Sequence, residues 1–171
     1  PPRDGAAPRQ KHLRRGDNRA RRPRAATLAE LVRERKIRKI YRAVVEGEAP
    51  EKGKIDLPLL KDARTNTVRP DEGGQRALTL YRRIALCGSR SVVEAELVTG
   101  RPHQARAHLA AIGHPIAGDA KYGGKMGKRP LLHARLVIFP DDAALPAALH
   151  GARIEAPLPD DMKKYERGEL Q

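Results

Sequence analysis

The chain has 171 residues, the length of one domain, and carries a formal net charge of +14, an excess that attracts polyanions and favours a nucleic-acid partner. Hydrophobic residues make up 39% and aromatic ones only 3%, so the core must be built from Leu, Ile, Val and Ala rather than from rings. The single cysteine, Cys87, excludes an intrachain disulfide and fits a reducing compartment, and no run of about 18 apolar residues is present to cross a membrane.

Residues 1–24 hold several prolines, many Arg and Lys, and Leu13 as the one large apolar residue. Such a segment buries too little surface to offset its ordering entropy, so we expect a disordered basic arm. The chain begins with Pro rather than Met, which reads as a processed chain or part of a longer one. The arm is Arg-rich like a mitochondrial transit peptide but lacks its apolar stripe and its serines. We therefore expect a cytoplasmic protein, with a mitochondrial location as the alternative.

Order is expected from Ala25. Leu28, Leu31 and Val32 fall at helical spacing, predicting a helix to about Lys36. Lys39 to Gly47 alternates and ends at Gly, a strand with Tyr41, Ala43 and Val45 on one face and Ile40, Arg42 and Val44 on the other. Glu48 to Gly74 reads as loop-rich, with a short apolar patch at Ile55, Leu57, Leu59 and Leu60. Strands at Ala77–Leu86 and Val92–Val98 flank a Gly88-Ser89-Arg90 turn and predict a hairpin. A helix follows from Pro102 to Ile112, with proline in its first turn and Gly113 as its stop. Leu131–Phe139 and Ala152–Ala156 are two further strands. Consecutive strands with few inserted helices predict an α+β fold on a mainly antiparallel, mixed sheet.

The segment Leu97–Lys125 concentrates candidate site residues at one strand-to-helix junction. Arg101 stands at the turn before a helix N-terminus, where a ligand phosphate is favoured. His103 is a candidate hydrogen-bond donor in the first helical turn. Arg106 lies at the edge of the stripe formed by Ala105, Leu109 and Ile112. There it can make a bidentate pair with a carboxylate or phosphate, or lie exposed along the surface. His108 and His114 have no companions at metal-ligand spacing and read as ordinary histidines, so no metal is expected. Gly118 to Gly124 lacks the Gly-Lys-Ser/Thr ending of a phosphate loop, and its glycines read as tight turns. Tyr41 is either a stacking platform for a base or an edge-strand tyrosine.

Several of these pieces resemble the RluA-type pseudouridine synthases. Lys39-Ile40-Tyr41-Arg42-Ala43-Val44-Val45-Glu46-Gly47 is similar to that family's Lys-x-Tyr-x-Ala-x-Val-x-Gly strand. Ala77-Leu78-Thr79-Leu80-Tyr81 is similar to its Ala-x-Thr-x-Tyr/Phe strand. Thr99-Gly100-Arg101-Pro102-His103-Gln104-Ala105-Arg106-Ala107-His108-Leu109 resembles its Thr-Gly-Arg-x-His-Gln-Ile-Arg-x-His-Leu motif. Gly113-His114-Pro115-Ile116, Gly118-Asp119, Leu132-His133-Ala134 and Ala156-Pro157-Leu158-Pro159 follow in the family's order.

The resemblance implies a pseudouridine synthase catalytic fold over residues 25–162, followed by a polar tail at 163–171. It implies isomerisation of a specific uridine to pseudouridine in structured RNA, ribosomal or transfer, with the target base flipped out and with no cofactor. By the same resemblance an aspartate attacks the nucleotide, Arg106 pairs with that aspartate, and Tyr41 stacks on the flipped base. Arg101, His103 and Gln104 would bind substrate, and Leu136 would wall the pocket. The implied protein is a monomer whose partner is RNA, with neither membrane nor metal. One element departs from the pattern. The family carries its aspartate in a His-Arg-Leu-Asp-x-x-Thr/Ser-Gly motif, and this sequence has none. Asp17, in Arg14-Arg15-Gly16-Asp17-Asn18-Arg19-Ala20, is the candidate nucleophile, with an Arg two places before it. Loss of the catalytic segment, a non-catalytic RNA-binding scaffold, and an aspartate from another position are the three readings of that departure. Ala105, where Ile or Leu is usual, is a milder one.

Overall fold

A computed structural model describes residues 22–143 and 145–168. Six strands form one sheet in the order β2-β5-β6-β1-β7-β8, and β3-β4 form a separate two-stranded sheet. The strands are β1 (Arg38–Glu46), β2 (Lys52–Asp56), β3 (Leu59–Asp62), β4 (Thr67–Pro70), β5 (Leu78–Cys87), β6 (Arg90–Leu97), β7 (Leu132–Ile138) and β8 (Arg153–Glu155). Every pairing between these strands is antiparallel, so the sheet is not mixed. Among the described residues three α-helices accompany them: α1 (Arg22–Arg33), α2 (Gln104–Ala111) and α3 (Asp160–Glu166).

The central strand β1 is covered on both sides, and its alternation divides the core. Ala43 and Val45 pack with Val93, Ala95, Leu109 and Ile116 on the face where α2 lies. Val44 packs with Val92, Cys87, Met162 and Tyr165 on the opposite face, under α3. Full burial of Leu109 and Ile116 contributes roughly 1.5–3 kcal/mol each and clamps α2 to the sheet. α1 is held separately, through Leu31 against Ile37 and Leu145.

Several expected boundaries move for local reasons. The first helix ends at Arg33, because Arg35 takes a left-handed conformation (φ 60°). The Arg35 and Lys36 amides then return to the carbonyls of Val32 and Leu31, a helix-ending pair of bonds. The expected loop at Glu48–Gly74 contains β2, β3 and β4. These strands are only four or five residues long, too short to show a period in sequence. Their turn is built by the Asp62 carboxylate, which accepts the amides of Arg64 and Thr65. The β5–β6 hairpin forms around a two-residue loop, Gly88-Ser89, with Gly88 at φ 57°. Pro102 lies outside its expected helix: His103 is left-handed (φ 50°), so α2 starts at Gln104. Lys163–Glu166, expected in the polar tail, continue α3, and Tyr165 is buried there. No described helix is long and apolar enough to cross a membrane.

Candidate active site at the β6–α2 junction

The junction is held by one buried side chain. Gln104 is 1% exposed, and its Oε1 accepts from the Thr99 hydroxyl (2.6 Å) and the Arg101 amide (3.0 Å). Its Nε2 donates to the Leu78 carbonyl (2.9 Å) and to Thr79 Oγ1 (3.0 Å). All four of its hydrogen-bonding positions are thus used inside the protein. Gln104, expected to bind substrate, shapes the turn that presents Arg101. Arg101 itself reaches the surface, its Nε donating to the Arg76 carbonyl (3.1 Å).

The chain of bonds continues to His108, which is fully buried. Its ring lies 2.9 Å from Thr79 Oγ1 through Nδ1 and 3.0 Å from the Leu57 carbonyl through Nε2. The carbonyl can only accept, so Nε2 carries the proton and Nδ1 accepts from Thr79. Burial holds the His108 pKa below its ordinary 6.5, and the ring stays neutral. A depressed folded value means the unfolded chain binds the proton more readily. The stability from neutral His108 is therefore complete above about pH 6.5 and is lost as pH falls through the folded value. Thermal unfolding followed from pH 7.5 to pH 5 is expected to show this decline, and His108→Gln to flatten it. An unchanged pH slope in His108→Gln would refute the assignment.

Arg106 stands on the side of α2 that faces the 3₁₀ turn Ala120–Tyr122. Its Nε and Nη2 donate to the two carboxylate oxygens of Asp119, each at 2.6 Å, and Asp119 is 1% exposed. The guanidinium carbon lies 4.6 Å from the centre of the Tyr122 ring, a cation–π contact on the planar face. Asp119 also raises the Arg106 pKa, so the guanidinium stays charged. No described residue bonds to Nη1, which leaves the outer edge of the guanidinium open.

Tyr122 is fixed in turn. Its hydroxyl accepts from the Val68 amide (2.9 Å) and lies 2.9 Å from His103 Nδ1, with the two rings edge to face at 5.8 Å. Burial and the Arg106 charge lower the His103 pKa, and burial raises that of Tyr122. The phenol therefore donates to a neutral imidazole. His103 is turned into this cluster by its left-handed backbone, and its role toward Arg106 runs through Tyr122.

Asp119 and Tyr122 were not among the expected site residues. The signal was the Gly-Asp-x-x-Tyr-Gly-Gly string itself. Gly118 (φ 81°) would place a Cβ 2.1 Å from the Arg129 carbonyl, and Gly124 would place one 2.0 Å from the Ile116 carbonyl. The glycines permit a loop tight enough to aim one carboxylate at α2.

Tyr41 lies on the α2 face of β1, half-buried, with Ala95 and Ala134 as its cross-strand neighbours. Two alanines leave the sides of its ring uncrowded. Among the described residues no hydrogen bond joins Tyr41 to Arg106. Leu136, expected as part of the pocket's apolar wall, does not share Tyr41's row. The register of β1 with β7 shifts by one residue between Ile40 and Tyr41, so Leu136 stands opposite Ile40 and Ala134 opposite Tyr41. Strand alternation puts Ile40 on the α3 face, and paired residues point the same way. His114 bonds the Glu46 carbonyl at 3.0 Å. No cluster able to hold a metal is found among the described residues. Asp17 lies outside the described residues.

The antiparallel sheet and the Thr99–His108 junction on one of its faces define a pseudouridylate synthase fold. The sequence pattern of the RNA pseudouridylate synthase family matches residues 20–111. The chain belongs to that family, in its RluA-type branch. It is 39% identical over 148 residues to an uncharacterised RNA pseudouridine synthase, YhcT, of Bacillus subtilis, covering 83% of this chain and 48% of that one. It is 38% identical to ribosomal large subunit pseudouridine synthase D of Zymomonas mobilis, covering 59% of this chain and 33% of the relative. It is 35% identical to tRNA pseudouridine synthase C of Haemophilus ducreyi, covering 67% and 57%. Among solved structures, human RNA pseudouridylate synthase domain containing 1 superposes with a TM-score of 0.66 at 25% identity, over 83% of this chain and 62% of that one. The chain thus spans a third to somewhat over half the length of these curated relatives.

Proposed function

We propose that this chain isomerises a specific uridine to pseudouridine in a structured ribosomal or transfer RNA. The observation that carries the reading is the state of Arg106. Asp119 and Tyr122 hold its inner edge and its face, while the Nη1 edge stays open to a second anion. A guanidinium fixed in this way can orient a nucleophilic carboxylate without reorganising, the usual source of an enzyme's electrostatic advantage. In the proposed reaction the base is flipped out, an aspartate attacks the nucleotide, and the glycosidic bond breaks. The uracil turns and bonds the sugar through C5, the bond to the aspartate breaks and frees the carboxylate, and the proton lost from C5, with Tyr41 stacked on the ring, is balanced by one gained at N1. Asp17 is the candidate nucleophile. The proposal takes the protein as cytoplasmic and monomeric.

The test is pseudouridine formation by the purified protein on transcribed ribosomal and transfer RNAs, read by mass spectrometry. Product is expected with one RNA class and is expected to disappear in Asp17→Asn. Folded protein that yields no product on either class overturns the activity. The lack of a His-Arg-Leu-Asp motif favours a second reading, an RNA-binding protein without turnover. Under it, binding weakens steeply with salt and ignores Asp17→Asn.

A further inference from the structure

The basic residues of β1 are not treated alike. Arg38 and Arg42 point to the α3 face, and both are neutralised. Arg38 makes a two-point pair with Glu96 (2.7 and 2.8 Å), and Arg42 lies between Glu94 (3.4 Å) and Glu166. Lys39 lies between them in sequence and points to the α2 face, one alternation from Tyr41. It is half-buried, and among the described residues it has no hydrogen-bond acceptor and no carboxylate partner.

Its ammonium rests over the β6–α2 junction. A Cβ added at Gly100 would lie 3.1 Å from Lys39 Nζ and meet no other atom within 4 Å. Gly100 has no left-handed backbone to explain it. The space that its missing side chain leaves is the space beside the lysine. Arg101, Lys61 and Lys121 add positive charge near this junction and make no salt bridge among the described residues. Arg101 is hooked to Arg76, and Lys61 and Lys121 both act electrostatically on His103. Glu94 and Glu96 of the sheet are thus spent on the α3 face, and no carboxylate among the described residues pairs with Lys39 beside Gly100. A half-buried, unpaired cation in such a place is matched by an anion supplied from outside.

We propose that Lys39 binds a backbone phosphodiester of the RNA beside the base stacked on Tyr41, and that residue 100 is glycine to seat its ammonium. The proposal rests on RNA being the substrate, but its test is an equilibrium one that needs no turnover. The probe is a single-stranded oligouridylate, with affinity measured from 50 mM to 1 M salt. One lost phosphate contact is expected to lower the slope of log affinity against log salt by about 0.7 in Lys39→Met, and to weaken binding about eightfold at 50 mM. Lys39→Arg should restore the slope. Lys52→Met, which removes a charge on the far edge strand β2, should leave it unchanged. Gly100→Ala should weaken binding in the parent and have no further effect in the Lys39→Met background, as coupled neighbours require.

A Lys39→Met slope equal to that of the parent or no lower than that of Lys52→Met overturns the proposal, as does Gly100→Ala acting equally in both backgrounds. A parent protein that shows no salt-dependent binding overturns it too. Binding that depends on Lys39 without any pseudouridine product would leave the lysine's role standing and remove the enzymatic reading alone.

Discussion

Replacing Asp119 by alanine is expected to destabilise the protein by about 3–5 kcal/mol, the cost of leaving one member of a buried ion pair unmatched. The carboxylate is 1% exposed and Arg106 holds it at two points of 2.6 Å, so little water can take its place. Without Asp119 the guanidinium keeps only the Tyr122 face, a contact of about 1–2 kcal/mol that fixes distance but not rotation. Pseudouridine formation should fall by about a hundredfold or more at temperatures where the variant is still folded, because a displacement of about 1 Å in a positioning group is that costly. A paired substitution separates position from stability. Arg106→Met with Asp119→Leu removes both charges and should recover part of the stability lost in Asp119→Ala while remaining inactive. Urea denaturation and initial rates on the same preparations measure both quantities. A single variant as stable as the parent, or a double variant less stable than the single one, contradicts this account of the pair.

Gln104→Leu is the second substitution with a large expected effect. Leucine fills a similar volume and offers no hydrogen bond, so the Arg101 amide loses its partner, while the Thr99 hydroxyl, the Leu78 carbonyl and Thr79 Oγ1 each lose one bond and keep another, to the Leu78 amide, the Val98 amide and His108. One buried donor left unsatisfied costs about 1–3 kcal/mol and each of the three other lost bonds about 0.5–1.5 kcal/mol, and relaxation recovers part of the sum, so a loss of about 3 kcal/mol is expected. Because Thr99 and Arg101 frame the turn, protection of the 99–103 amides from hydrogen exchange should drop before that of the sheet does. A loss below about 1 kcal/mol would mean that the junction is held by packing alone.

Much of this fold can be read along the chain. β1 alternates as expected because both its faces are apolar at Ala43, Val44 and Val45. The β5–β6 hairpin is announced by Gly88-Ser89, and the end of α2 by Gly113, which is left-handed at φ 82°. Elements whose identity is not local could not be read. β2, β3 and β4 are too short to carry a period, and their strand form comes from pairing with β5 and with each other. His103 takes a left-handed backbone that few residues with a side chain adopt, and its ring meets the Tyr122 hydroxyl there, a contact that no local pattern announces.

The sequence alone determined the antiparallel α+β class, the family to which the Thr99–Leu109 motif belongs, and the stretch that forms the site. These follow from patterns confined to a few neighbouring residues: period-two alternation, glycine at turns, and side-chain types in fixed order. Tertiary structure alone decided which groups meet. Arg106 is thirteen residues from the carboxylate that holds it, and no periodicity ties a helix to the loop after it. One extra residue in β7 moves Leu136 off Tyr41's face, a change that only the register with β1 reveals. Lys39 and Gly100 are distant in sequence and adjacent in space. Pairing, register and burial depend on the whole sheet closing at once, and they turn a recognisable motif into an arrangement of charges.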